Sequence, residues 1–271
     1  MSYIDKKPVK RSTLRLCAGR TYFTWRRYLQ WYFTKKKYSK TVTDKKYENI
    51  VFTHSTPLLR KLKDVDMYLQ YNKVTNLKIA SKKLNGIIIK PGETFSYWKL
   101  IGKPSYKKGY LDGLVLCANG SFKPGVGGGL CQLSNLIYWM TIHTPLTITE
   151  RYRHSHDIFP DVNRTQPFGS GATCVYNYFD LQIYNGTTQN YQLLVYLTDN
   201  SLVGEWRSDR PAFYKYKVYE KDHSFTPNFW GGYTRNNVIH REVYNLNDEL
   251  VDDEYITENH ALMVYEPFLN A

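Results

Sequence analysis

The feature that most constrains this chain is a glycine-rich stretch that runs directly into an apolar segment. Residues 125–129 read Gly-Val-Gly-Gly-Gly, and an apolar segment covers 130–143 and must end before Pro145. Its apolar side chains recur at helical spacing: Leu133, Leu136, Ile137 and Met140. A helix this apolar belongs in a core, so the pattern predicts one buried central helix preceded by a glycine-rich loop over 121–129.

Strand patterns surround this helix. Short apolar or alternating runs predict strands at 86–89, 147–159, 172–184 and 191–197, and a hairpin from 238–244 and 250–257. Helical patterns cover 20–37 and the residues after Pro57. We predict an α+β fold with N-terminal helices, one buried central helix packed on a mostly antiparallel sheet, and a β-rich C-terminal part. The changes in composition and pattern divide the sequence into three parts. They are a basic, aromatic helical segment over 1–84, a core with the glycine-rich loop, the central helix and strands over 85–200, and a β-rich extension over 201–271.

Charge is concentrated at the N-terminus. Residues 1–40 contain twelve Lys and Arg and a single acid, Asp5, so they hold +11 of the net +13. Four residues of the 20–37 helix form an aromatic stripe, with Phe33 beside it: Tyr22, Trp25, Leu29 and Tyr32. The stripe either packs on the protein's own body or lies in an anionic membrane interface through residues 20–40. No nucleic-acid partner is expected, because no binding motif accompanies the charge.

The cysteines indicate a reducing compartment. Cys17, Cys117, Cys131 and Cys174 form no C-x-x-C pair, and four in 271 residues do not make a disulfide scaffold. We see no secretory signal and no apolar span of membrane length. The expectation is therefore a cytoplasmic protein, with a peripheral position at the inner membrane face left open as an alternative.

The glycine stretch places a thiol at the start of the central helix. Free N–H groups and the helix dipole predict a lowered pKa for Cys131 and a nucleophilic thiolate. The N–H groups of Gly128 and Gly129, with the Gln132 side chain, would hold an oxyanion. The alternative is a small buried residue, with glycines that give clearance for close packing.

Histidines follow the cysteine in the chain. Period-two alternation in 150–157 puts His154 and His156 on one strand face. Arg151, Arg153 and Asp157 share the other. The Cys–His order is that of thiol enzymes, with His154 as base. A zinc site built from both histidines with Cys131 or Cys174 is a weaker alternative, because the spacing fits no standard motif. No nucleotide motif is present, so no cofactor is expected.

Several segments together resemble the VanW family. They are 90–96, Gly109-Tyr110, Gly127 to Gln132 with Ser134, Glu150-Arg151 with His154-Ser155, and Gly169 to Thr173 leading into Asp180-Leu181. The resemblance implies a place among glycopeptide-resistance proteins and leaves the molecular activity open. The candidate substrate-binding residues are Gly127, Gly128, Gly129, Gln132, Ser134, Arg151 and His156. Many relatives carry an Asp where this chain has Gly171, so Asp180 or Asp157 would have to orient His154.

Two functional hypotheses follow. The first is an accessory protein of vancomycin resistance in which Cys131, His154 and Asp180 perform hydrolysis or acyl or peptidyl transfer on a cell-wall precursor. The second is a non-catalytic module in which the glycine loop, Arg151 and Arg153 hold an anionic or peptide ligand and the aromatic N-terminal helix docks at the inner membrane face.

Overall fold

The computed structural model describes residues 12–60, 65–116, 121–158 and 166–266. These residues form helices α1 (Thr13–Phe33), α2 (Met67–Leu84), α3 (Tyr97–Ile101) and α4 (Cys131–Thr141). The strands of the first half are β1 (Lys37–Tyr38), β2 (Thr41–Val42), β3 (Asn49–Pro57), β4 (Ile87–Ile89), β5 (Glu93–Ser96), β6 (Asp112–Leu116) and β7 (Phe122–Val126). Those of the second half are β8 (Thr147–Glu150), β9 (His156–Asp157), β10 (Gln182–Tyr184), β11 (Tyr191–Leu197), β12 (Ser201–Ser208), β13 (Lys215–Pro227), β14 (Tyr233–Tyr244) and β15 (Leu250–Met263).

The strands form three sheets and a separate hairpin. Their orders are β1-β5-β10-β8, β2-β4-β11-β12-β3 and β13-β14-β15-β9, with β6-β7 as the hairpin. Most neighbours are antiparallel, whereas β1 with β5 and β15 with β9 are parallel. The predicted α+β class is therefore confirmed, including the β-rich C-terminal part.

Helix α4 lies at the centre of the core, as its apolar stripe predicts. Leu133, Leu136 and Ile137 are fully buried, and the helix packs against β12 and β3. Gly204 of β12 permits the approach, because a Cβ there would stand 2.5 Å from Cε of Met140. The indole of Trp206 donates to the hydroxyl of Thr141 at 3.1 Å and fixes the helix on the sheet.

The helix predicted directly after Pro57 is not found at that position. Pro57 ends β3, which pairs with β12, and among the described residues that follow, helix α2 begins at Met67. Residues 61–64, which the prediction also included, lie outside the described residues. The helix predicted over 20–37 exists but is displaced, because α1 begins after the capping Ser12 and ends at Phe33. The glycine loop predicted over 121–129 is partly strand, since β7 pairs with β6 up to Val126.

The long strand predicted over 147–159 is also wrong. β8 ends at Glu150, the next strand is the short β9, and Phe159 lies outside the described residues. Between them the carbonyl of Tyr152 accepts from the N–H of Thr173 at 2.8 Å, a single contact with an irregular segment. Most of 172–184 is irregular too, and only β10 is strand. The strand at 191–197 and the C-terminal hairpin are confirmed, the latter with longer arms.

Helix α1 docks through the face opposite its aromatic stripe. Arg27 and Trp31 are buried, whereas Tyr22, Trp25, Leu29 and Tyr32 are exposed. Arg27 pairs with Glu150, with 2.6 Å between Nη1 and Oε2. Packing of the stripe on the protein's own body is therefore contradicted, because Arg27, Tyr28 and Trp31 make the contact instead. Among the described residues, no helix has both the length and the apolar content to cross a bilayer.

Candidate functional site

The glycine loop before α4 uses its own backbone donors. The N–H of Gly127 donates to Leu111 at 3.0 Å, that of Gly128 to Gly125 at 2.9 Å, and that of Gly129 to Leu114 at 3.0 Å. Each acceptor is a main-chain carbonyl of the β6–β7 hairpin or the residue before it. The free oxyanion donors expected from Gly128 and Gly129 are therefore contradicted, because both N–H groups are already bonded within the fold.

Close packing explains why these positions are glycine. A Cβ on Gly128 would stand 2.1 Å from the carbonyl carbon of Gly113, so two backbones cross here in direct contact. Gly129 has a φ of +87°, and a Cβ there would meet Cγ of Lys73 at 2.2 Å. The clearance interpretation of the glycines is confirmed at both positions.

Cys131 opens α4 but is not activated. Its Sγ donates to the carbonyl of Cys174 at 3.7 Å, and burial raises the pKa of the Cys131 thiol. This direction is opposite to the lowered pKa expected at a helix start, because desolvation of the thiolate has a larger effect than the backbone hydrogen bonds that favour it. The neighbouring donors are also turned inward: the N–H of Gln132 bonds to Gly129, and that of Leu133 to Leu130.

The structure gives Cys131 no histidine partner. Across the described ranges, no hydrogen bond joins Cys131 to His154 or His156. His154 lies in the irregular stretch before β9, where burial and the adjacent Arg153 lower its pKa to about 4. His156 is on β9, and its Nδ1 lies 3.0 Å from the hydroxyl of Ser155. The common strand face expected for the two histidines is wrong because this stretch is not a continuous strand.

Arg151 is a half-buried cation that is hydrogen-bonded within the fold. Its Nε donates to Gly171 at 2.8 Å, its Nη1 to Thr257 at 3.1 Å, and its Nη2 to the carbonyl of Gly169 and to Asn259. The guanidinium also stacks on the Tyr138 ring at 4.7 Å. Burial lowers the pKa of Arg151. Its role as an anion receptor is contradicted, because its donors hold the 169–171 segment against β15.

Gln132 and Ser134 attach the start of α4 to its neighbours. The Gln132 amide donates to the hydroxyl of Thr56 and to the carbonyl of Pro57, both at 2.9 Å. The Ser134 hydroxyl donates to Ala172 at 2.7 Å. Both side chains therefore make fold contacts, and the Gln132 amide is not a free donor for an oxyanion.

Position 171 lies beside Asn135, which is one helical turn after Cys131 on α4. The amide oxygen of Asn135 accepts from the N–H of Ala172 at 2.8 Å. A Cβ on Gly171 would stand 2.7 Å from that same oxygen. An acidic residue at position 171, as expected of relatives, would therefore reach the first turns of α4.

Asp180 belongs to a different cluster. Its carboxylate accepts from the Ser96 hydroxyl at 2.5 Å and from the N–H groups of Trp98 and Leu181 at 2.9 and 3.0 Å. Burial raises the pKa of Asp180 to about 6, against the opposing effect of these donors. No histidine of the described part of the chain contacts it, so the expected orientation of His154 by Asp180 is contradicted.

Sequence reasoning missed the polar groups that hold these parts together. Besides the ion pair between Arg27 and Glu150, Asp157 pairs with Arg235 at 3.4 Å in a buried position. The ring of Phe168 lies between the guanidinium groups of Arg153 and Arg235, at 4.1 and 4.3 Å. The partners are far apart in sequence, so no local spacing could have indicated them. Within the ranges that the structure describes, no three His, Cys, Asp or Glu residues gather in a group suited to a metal ion.

Comparison with known proteins matches both the core and the wider chain. The family model described as VanW like protein covers residues 72–207. "Vancomycin B-type resistance protein VanW" of Enterococcus faecalis (strain ATCC 700802 / V583) is 35% identical over 228 residues, which are 84% of this chain and 82% of that protein. "Uncharacterized protein YoaR" of Bacillus subtilis (strain 168) is 30% identical over 114 residues, 42% of this chain and 36% of that protein. No solved structure matches.

The fold thus defines the class of protein. It is an α+β protein with a central helix that starts from a glycine–cysteine motif, and the glycine N–H groups of this motif are bonded to neighbouring backbone carbonyls. The family match covers that helix, the motif and strands β4, β5, β8, β10, β11 and most of β12 in the two flanking sheets. The chain belongs to the VanW family.

Proposed function

We propose that this chain is an accessory protein of glycopeptide resistance and that it acts by binding a ligand. The observation that carries the first part is the likeness to the E. faecalis protein, which is named for vancomycin B-type resistance and aligns over most of both chains. The alignment extends well beyond the motif, so the resemblance involves the shared fold and not a single short segment.

The α4 patch supports binding in preference to catalysis. We define this patch as Cys131, Gln132, Asn135 and Gly171, which are partly or fully exposed around the start of α4. Hydrogen bonds from Gln132, and to Asn135 from Ala172, fix its shape. A preformed surface loses little entropy when it binds a ligand such as a peptide or a cell-wall precursor.

Thiol chemistry is the competing hypothesis. It requires a Cys131 thiolate and a base within hydrogen-bond reach, with donors aimed at an oxyanion. In the fold described above, the pKa of Cys131 is raised and the glycine donors are bonded elsewhere. A thiol mechanism would thus need the loop and the 151–155 segment to rearrange first.

The deciding experiment measures resistance in the host cell. Deletion of the gene is expected to lower the minimum inhibitory concentration of vancomycin, and the wild-type chain or Cys131→Ser is expected to restore it. Asn135→Arg, which places a long charged side chain on the patch, is expected to fail. Cys17→Ser is the matched control, because Cys17 is an exposed thiol on α1.

The outcomes separate the hypotheses. An unchanged inhibitory concentration after deletion contradicts the part in resistance. A Cys131→Ser protein that is present at normal levels, unfolds at the wild-type temperature and yet restores nothing would establish the thiol mechanism. Full restoration by Asn135→Arg would exclude the α4 patch as the binding surface.

A further inference from the structure

The outward face of α1 is apolar and uncovered. We define it as the exposed large side chains opposite the docked residues Arg27 and Trp31: Leu14, Tyr22, Trp25, Leu29, Tyr32 and Phe33. Trp25 is 65% exposed, and Phe33 is 82% exposed. Residues 14, 22, 25, 29 and 32 recur at helical spacing and form one stripe along the helix. Large apolar side chains in a continuous exposed patch indicate a surface that meets another apolar phase.

The charges around this face have one sign. Residues 12–40 contain eight Lys and Arg and no Asp or Glu. Arg27 is paired with Glu150, and the other seven cations are exposed: Arg15, Arg20, Arg26, Lys35, Lys36, Lys37 and Lys40. Arg15 and Arg26 lie along one edge of the stripe, and the lysines follow its C-terminal end. The complement to this arrangement is an apolar layer with anionic groups at its border.

We propose that the outward face of α1 binds the surface of an anionic lipid bilayer. Such a surface offers acyl chains for Leu29 and Phe33, an interfacial layer for the amphipathic rings of Tyr22 and Trp25, and phosphate groups for the flanking cations. The 21 residues of α1 would lie parallel to the surface over roughly 30 Å. A nucleic acid would satisfy the cations but would leave the apolar stripe in water.

The way α1 is held suits such contact. The helix is fixed at its C-terminal half, where Trp31 donates to the Ser96 hydroxyl at 3.1 Å and Tyr28 meets the Tyr176 hydroxyl at 3.2 Å. All residues from 12 to 18 are exposed. The body thus presents the helix without covering its outward face, so docking needs no unfolding of the core. This inference does not depend on the proposed part in resistance.

The test is co-sedimentation of the full chain with lipid vesicles. Phosphatidylcholine vesicles with about one third phosphatidylglycerol are expected to bind the protein at least about tenfold more tightly than phosphatidylcholine alone. The double variant Trp25→Ser/Leu29→Ser is expected to lose about tenfold or more of that affinity. Phe229→Ser is the matched control, because Phe229 is an 83% exposed aromatic residue on the turn between β13 and β14.

Each other outcome overturns the proposal. The first such outcome is a wild-type chain that does not bind the anionic vesicles. The second is a Trp25→Ser/Leu29→Ser variant that binds as well as wild type, which would assign the binding to charge alone. Sedimentation equilibrium without lipid tests a second copy as the occupant: a dimer that the double variant abolishes would make the face a self-interface. Equal circular dichroism and unfolding temperatures for all variants exclude misfolding as the cause of lost binding.

Discussion

Helix α4 begins among hydrogen bonds that the protein makes to itself, whereas helix α1 ends among apolar rings that face solvent. At α4 the glycine N–H groups, the Gln132 amide and the Ser134 hydroxyl all have internal partners. At α1 only the side that carries Arg27 and Trp31 is covered. The comparison teaches that α4 organises the interior, while α1 is the helix with surface left for a partner. Three substitutions or measurements test that division.

The largest expected effect comes from adding one methyl group at the start of α4. Gly128→Ala would force a Cβ to within 2.1 Å of the Gly113 carbonyl carbon, so two backbones must separate. We expect a loss of about 3 kcal/mol or more in the free energy of unfolding. Urea unfolding followed by circular dichroism measures it.

Gly19→Ala on α1 is the control for that substitution. A Cβ on Gly19 meets nothing within 4 Å, and the residue is in a helix, so the variant should gain up to about 1 kcal/mol. Equal stability of Gly128→Ala and wild type would show that the crossing at Gly113 is not a close contact. The distinction between the two helices would then fail.

The second effect is the docking of α1 itself. Arg27→Ala leaves Glu150 without its cation in a position where both side chains are largely buried, which costs about 3 kcal/mol when the pair is broken. Hydrogen exchange should rise in the C-terminal half of α1 and leave α4 protected. Arg26→Ala, an exposed neighbour, should change stability by less than about 0.5 kcal/mol. Unchanged exchange in Arg27→Ala would mean that the contacts of Trp31 and Tyr28 are enough to dock the helix.

The smallest expected effect is a difference in the rate at which the thiols are chemically labelled, measured by peptide mass spectrometry. Cys17 on α1 is exposed, so iodoacetamide should modify it readily. The raised pKa of Cys131 keeps its thiol protonated at neutral pH, so its rate should rise only above the ordinary thiol pKa of about 8.5. Fast labelling of Cys131 at pH 7 would show that the pKa of its thiol is lowered. The start of α4 would then be a candidate reactive site again.

Sequence reasoning predicted α4 well and missed the bounds of α2. The two outcomes differ because the apolar pattern is strong in α4 and weak in α2. The α4 stripe is apolar, and Pro145 limits its end. Helix α2 buries Gln70, Lys73, Asn76 and Ser81 beside its few apolar residues, so its helical period is diluted. Asn76 shows what a buried polar residue of α2 does. Its amide donates to the carbonyl of Gly128 and its oxygen accepts from the N–H of Leu111, and both hydrogen bonds stabilise the glycine loop.

The site was harder to predict than the fold. The motif residues Gly127 to Ser134 do lie at the start of a central helix, as expected. Their donors, however, are satisfied by β6, by Thr56 and by Ala172, and no spacing within the motif reveals those partners. The same limit applies to α1, whose docked face depends on Glu150, 123 residues away.

The long-range hydrogen bonds of Arg151 affect the order in which parts of the chain fold. Its hydrogen bonds reach Thr257 and Asn259, which lie 106 and 108 positions later in the sequence. Closing so long a loop costs entropy that is recovered only when the C-terminal hairpin has formed. The 169–171 segment, held by the same guanidinium, should therefore acquire its native position late, after α4 and its sheet are already assembled.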